Sequence, residues 1–239
     1  MIYRFTKTAV SPLCSHPANN KVRGQHMKKL KRIQAIKNAL DTNTQSVLKY
    51  LQILLCLHAV SIAVSLADYL PLFSGVTAWA DRILAAGMII CLFALAGVNS
   101  YYRIAGIARV IILLRSVVFA LLPVPVLFSF YETPAALMAM NILSGIVLVL
   151  FWLAAGFEYY AHSELSSAKS EKLAKHWIIL LVVNLLVAVI GSAVSAAVAH
   201  LSRSTDLVNT VHYIVGVVSR IMDLVYLWSL YHLFKAIRN

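Results

Sequence analysis

The sequence predicts an all-α integral membrane protein, with six transmembrane helices in a compact bundle and both termini cytoplasmic. Three observations carry that expectation. The first is composition: of 239 residues, 61% are hydrophobic and 13% charged, and the mean hydropathy is +0.80, whereas soluble domains sit near roughly 45–50% apolar and about 25% charged. The second is segmentation. Apolar runs of about 20 residues recur without strict alternation, the length of helix that crosses about 30 Å of hydrocarbon. In lipid the backbone must satisfy itself internally, which leaves helices or closed barrels, and the lack of alternation selects helices. The third is charge placement. The formal net charge is +12, and ten of the 21 basic residues fall at or before Lys49, at the start of the first span. Most of the others recur beside alternate span ends, the footprint of membrane topogenesis rather than of a nucleic-acid-binding face.

Residues 1–26 are polar, with Pro12, Pro17 and Gly24 as breakers, and are expected to be disordered. No early apolar region with a small-residue cleavage site marks a secretory signal. Met27 opens a lysine-rich run, which suggests that the preceding residues are a gene-start extension. Over residues 27–46, Leu30, Ile33, Ile36 and Leu40 fall on one helical face among lysines and Arg32. That pattern predicts either an interfacial helix on anionic lipids or a solvated basic lead-in that fixes orientation.

The six-helix domain, 47–239, follows. Its spans are expected near Val47–Ala67, Val76–Val98, Ile107–Phe130, Pro134–Phe157, His176–His200 and Thr210–Phe234. Pro71, Ser74 and Gly75 make the first outer turn, and Thr133 caps a helix begun by Pro134. Pro123 and Pro125 kink or end the third span. With the N-terminus inside, the inner segments hold 18 basic residues against two outside, Arg82 and Arg203. Arg109 and Arg115 are expected to snorkel to the inner surface. Basic residues opening the odd spans and aromatics closing the even ones suggest three out-and-back hairpins, although topogenesis alone gives the same pattern. Cys14, Cys56 and Cys91 show no metal or disulfide spacing and read as packing residues.

The last span carries the best functional clue. Arg220 and Asp223 are three residues apart in an apolar segment, hence on one face and able to pair. Charges at that depth normally face protein or a wet cavity. Asn209, His212, Gly216, Ser219 and Tyr226 extend the same polar seam. Asn141 and Ser144 in the fourth span and Asn184 in the fifth are buried-polar candidates for the same pocket. The small residues Ala188, Gly191, Ser192, Ser195, Ala196 and Ala199 mark the fifth span for close helix packing. For the charged pair, a structural salt bridge stands against a relay or counter-ion site. His200 and His212, and Glu158 with His162, are weak metal candidates. A solvated loop, Ser163 to Lys175, is the expected context of the second pair.

No phosphate-binding, hydrolase, zinc-protease or dinucleotide motif is present, and no cofactor is expected. Three function classes remain. The leading one is transport or binding of a small molecule or ion at a midplane site formed by Arg220, Asp223, Asn184, Asn141, Ser219 and Tyr226. The second is a non-catalytic scaffold that binds partners through its basic cytoplasmic segments, and the third an enzyme acting on lipid. The bilayer is the expected partner, with anionic lipid at the basic N-terminal segment and either a second copy or a membrane-complex subunit. The basic leader fits a bacterial inner membrane.

Overall fold

The computed structural model describes residues 17–68, 74–122, 133–202 and 205–236, and these are all helix or tight turn. There are six long helices: α1 Pro17–Asp68, α2 Ser74–Leu95, α3 Ser100–Leu121, α4 Pro134–Ser167, α5 Glu171–Ser202 and α6 Thr205–Lys235. Each is long and apolar enough to cross a membrane. Each also turns large apolar side chains outward, among them Ile53, Ile83, Ile111, Ile146, Leu186 and Val225. An exposed apolar surface on every helix is what lipid contact requires.

Each helix packs on its successor, and α6 returns to α1, so the six close into a ring. Glycines set three of the approaches. A Cβ on Gly87 would meet Leu57 Cδ1 at 3.2 Å, one on Gly106 would meet Phe93 Cζ at 3.2 Å, and one on Gly191 would meet Val215 Cγ2 at 3.0 Å. Small residues at such points let backbones come together where no hydrophobic effect drives helices against one another. The ring order sets the three expected hairpins side by side, as a simple up-and-down chain also would.

At one end α1 also crosses to α4, and this end is filled. Leu40, Leu51, Leu54, Leu92, Leu95, Tyr102, Leu165, Trp177, Leu180, Leu230 and Phe234 are all but completely buried there. Two sequence expectations change as a result. The helix of residues 27–46 does not stand apart at a lipid surface: α1 is continuous from Pro17, with a kink at Asn43 (φ −126°, ψ 17°). Its apolar positions Ile36 and Leu40 enter the core, because burial against Leu and Phe side chains satisfies an apolar stripe as well as a leaflet does. The expected disordered segment is thus helical from Pro17, while residues 1–16 lie outside those described. Nor is Ser163–Lys175 a solvated loop. α4 continues ten residues past Phe157, burying Ser163, Glu164, Leu165 and Ser166, and only residues 168–170 form a turn before α5.

Boundaries follow local capping. Thr133 Oγ1 accepts a hydrogen bond from Ala136 N (3.2 Å), and Pro134 occupies the first turn of α4, as expected. α3 begins seven residues before its expected start, because the Asn99 side chain accepts from Tyr101 N (3.1 Å) and draws the Tyr101-Tyr102-Arg103 stretch into the helix. α3 ends at Leu121; Pro123 and Pro125 lie outside the described residues. Cys91 is a buried packing residue, whereas Cys56 is exposed.

Candidate functional site

Beyond the filled end the ring encloses a cavity of about 730 Å³, and all six helices line it. Its walls carry seven ionisable acids and bases with formal charge: Asp68, Asp81, Glu158 and Asp223 against Arg82, Arg109 and Arg220. Charges in such a place require partners or solvent, and the structure identifies the partners.

At the floor, Arg109 Nη2 donates to Glu158 Oε2 at 2.5 Å. The expected snorkelling of Arg109 is replaced by this ion pair, because Glu158 faces it from the neighbouring helix. His162, one turn beyond Glu158, has its Nε2 3.9 Å from Glu158 Oε1 and its Nδ1 2.7 Å from Tyr102 Oη. Trp177 stacks against His162 (4.6 Å between ring centres), Tyr159 (5.7 Å) and Tyr226 (5.6 Å). Just outside the floor, Glu164 takes an ion pair from Arg32 Nε (3.2 Å) and a hydrogen bond from Asn99 Nδ2 (2.9 Å). Arg32 also donates to Tyr101 Oη (2.8 Å) and lies over its ring. That latch ties the N-terminal half of α1 across the ring.

The wall on α6 differs from the expected seam. Arg220 and Asp223 share a face, yet they do not pair. Arg220 Nη1 reaches to α1, where it donates to Ser61 O and Oγ at 3.1 Å each and to Ser65 Oγ. Asp223 turns to α4 and α5, accepting from Tyr159 Oη and from Asn184 Nδ2 (3.0 Å); Asn184 Nδ2 also donates to Tyr159 Oη (2.6 Å). Among the described residues no carboxylate lies within ion-pair distance of Arg220 and no cation within that distance of Asp223. Both charges are therefore held by neutral groups. Intramembrane hydrogen bonds of this kind average about 0.6 kcal/mol each. They position a charge without cancelling it.

Three polar atoms of lining residues, Arg109 Nε, Trp177 Nε1 and Asn184 Oδ1, are buried without a hydrogen-bond partner among the described residues. Trp177 is 1% exposed and Asn184 6%, which excludes bulk solvent as their ordinary partner. At the opposite end of the cavity, Thr77 Oγ1 donates to Asp68 Oδ1. Arg82 donates to Ser116 Oγ (3.2 Å) and Ala78 O (2.9 Å), with its guanidinium over Trp79.

Of the residues singled out from sequence, Arg220, Asp223, Asn184 and Ser219 line the cavity together. Tyr226 packs on Trp177 beside them. Asn141 does not join them: it lies exposed on α4, where its face turns outward. Ser144, also exposed, meets Arg115 Nη2 at 3.5 Å. The side chains of His200, Asp206, Asn209 and His212 lie outside the described residues. Glu158 and His162 do converge, but among the described residues no three His, Cys, Asp or Glu side chains are grouped to hold a metal.

Sequence reasoning missed His58, Ser61, Ser65 and Asp68 on α1, and Tyr159 and Trp177 on α4 and α5. A signal was present: His58, Ser61, Ser65 and Asp68 recur at three- and four-residue spacing, a polar stripe down an otherwise apolar span. Comparison of the chain with protein-family models, with curated proteins and with solved structures returned no match.

Proposed function

We propose that this multi-pass membrane protein binds a small polar solute in its central cavity and carries it across the membrane, as a transporter rather than an enzyme. The observation that carries the reading is one cavity of about 730 Å³, lined by all six helices and by charges that neutral groups hold in place. A volume of roughly 300–1,000 Å³ is that of small-molecule sites, and intramembrane charges that face a cavity mark substrate or ion pathways. Among the described residues the large apolar side chains that fill the ring lie at one end, which supports an arrangement in which the solute enters from the other. The excess of basic residues in the leading segment and the inner connections supports an orientation with the filled end and both termini on the cytoplasmic side and the cavity toward the outer face of a cell membrane.

The test is flux. Purified protein reconstituted in liposomes should give protein-dependent uptake of at least one member of a panel of amino acids, amines and small organic acids. Asp223→Asn, recovered folded, should lose it. A folded wild-type protein that moves none of the panel and binds none in detergent would overturn the reading.

A further inference from the structure

Arg220 and Asp223 occupy one face of α6 one helical turn apart, about 5–6 Å between Cβ atoms by helix geometry. Opposite charges so placed in an apolar bundle ordinarily pair. Here they diverge: Arg220 leans to the serines of α1 and Asp223 to the tyrosine of α4 and the asparagine of α5, one on each side of α6 in the ring. The result is two opposite charges on one cavity wall, neither of them in an ion pair among the described residues. Arg109 and Glu158 neutralise one another at 2.5 Å. Asp81, with Asp68 and Arg82 near it, feels Arg220 more strongly than any other charge, but beyond ion-pair distance.

From this geometry we infer that the ligand is a small zwitterion, bound with its ammonium toward Asp223 and its acidic group toward Arg220. A pure anion would meet Asp223 and a pure cation would meet Arg220, each a like-charge contact in a low-dielectric site. A zwitterion meets neither. The planar, bidentate guanidinium of Arg220 suits a carboxylate or a phosphate equally, so a free amino acid and a zwitterionic lipid headgroup present the same chemistry. The inference deepens the transport reading and rests on it.

The experiment is thermal stabilisation of the full chain in detergent by five probes. Leucine, 6-aminohexanoate and glycerophosphoethanolamine are zwitterions, leucinamide is the matched cation and N-acetylleucine the matched anion. A ligand that binds only the folded state raises Tm in proportion to occupancy, and a rise of about 3 °C or more is expected from at least one zwitterion at saturation. Leucinamide and N-acetylleucine should give none. Response to glycerophosphoethanolamine alone assigns the site to a lipid headgroup, and response to the amino acids assigns it to a free solute; either supports the zwitterion.

Arg220→Gln should move the preference to leucinamide, and Asp223→Asn should move it to N-acetylleucine, a switch that a merely structural pair would not produce. If either fails to fold, Arg220→Lys and Asp223→Glu keep the charges and should keep the zwitterion preference with weaker binding. A wild-type response to leucinamide or N-acetylleucine equal to that of the zwitterions would overturn the inference while leaving the cavity as a solute site. Silence from all five probes would overturn it too. A Ser219→Cys protein that also resists aqueous thiol reagents would then extend that failure to the transport reading.

Discussion

The two ends of the ring are built from the same six helices and treat polar groups in opposite ways. At the filled end every helix sends a large apolar side chain inward, and Glu164, Ser163 and Ser166 are consumed: Glu164 by Arg32 and Asn99, Ser163 by Ala174 O at 2.8 Å, Ser166 by His162 O at 2.7 Å. At the cavity end Ser, Asp, Arg, Gly and Ala stand inward beside large apolar residues such as Leu84, Ile112, Phe151 and Trp152. What differs is the presence of charges held by neutral groups, not helix length or hydropathy. Leu, Phe and Trp close the ring by filling it. Charges held at arm's length by serine and tyrosine keep it open. A protein that needed only a stable bundle would have no use for the second arrangement, since a half-satisfied polar network is less stable than apolar packing.

The largest expected effect comes from the border between the ends. Arg109→Leu strands Glu158 in a buried site, and loss of one partner of such a pair costs about 3–5 kcal/mol; unfolding titrations in mixed micelles should show it, with much of that cost recovered in Arg109→Leu combined with Glu158→Gln. Leu230→Ala, wholly within the filled end, should cost about 2–4 kcal/mol as a cavity mutation. The same measurement on Ser219→Ala should register within about 0.5 kcal/mol, as an uncrowded position predicts. Between these lies Gly191→Ala, whose Cβ would press on Val215. A cost of about 1–2 kcal/mol is expected from the overpacking, and Val215→Ala should relieve it. Smaller than the packing variants is Asn184→Ala, at about 1 kcal/mol for the bonds it makes to Tyr159 and Asp223, yet it should abolish ligand-dependent stabilisation by releasing Asp223. If Asn184→Ala proved as damaging as Leu230→Ala, the cavity wall would be part of the packing core and the contrast between the ends would collapse.

Most of the fold was legible because hydropathy is a local property. Six apolar stretches, the Thr133–Pro134 start of α4 and the burial of Arg220 and Asp223 among helices needed no knowledge of neighbours. What could not be read was which helix stands beside which. Arg220 finds Ser61, 159 positions away, and Asp223 finds Tyr159, 64 positions away. The sequence offers each charge to the other at three residues' distance and carries no sign that more distant oxygens will take it. The same blindness hid the burial of Glu164, which reads as loop polarity until Arg32 and Asn99 are brought to it. It also turned Ile36 and Leu40 toward lipid when a protein core was available. One consequence is practical: deleting residues 1–40 removes Ile36 and Leu40 from the core and Arg32 from its latch, so that truncation tests folding before it tests any partner.

The measurement that bears most directly on the contrast is aqueous accessibility. With Cys14, Cys56 and Cys91 replaced, single cysteines at Ser219 and Ala188 in the cavity wall and at Leu180 and Leu230 in the filled end would be exposed to a small charged thiol reagent in membranes. The expected result is rapid labelling at Ser219 and Ala188 and protection at Leu180 and Leu230. Protection at all four positions, in protein shown to be folded, would contradict the account: the cavity would be dry, and Arg220 and Asp223 would be structural.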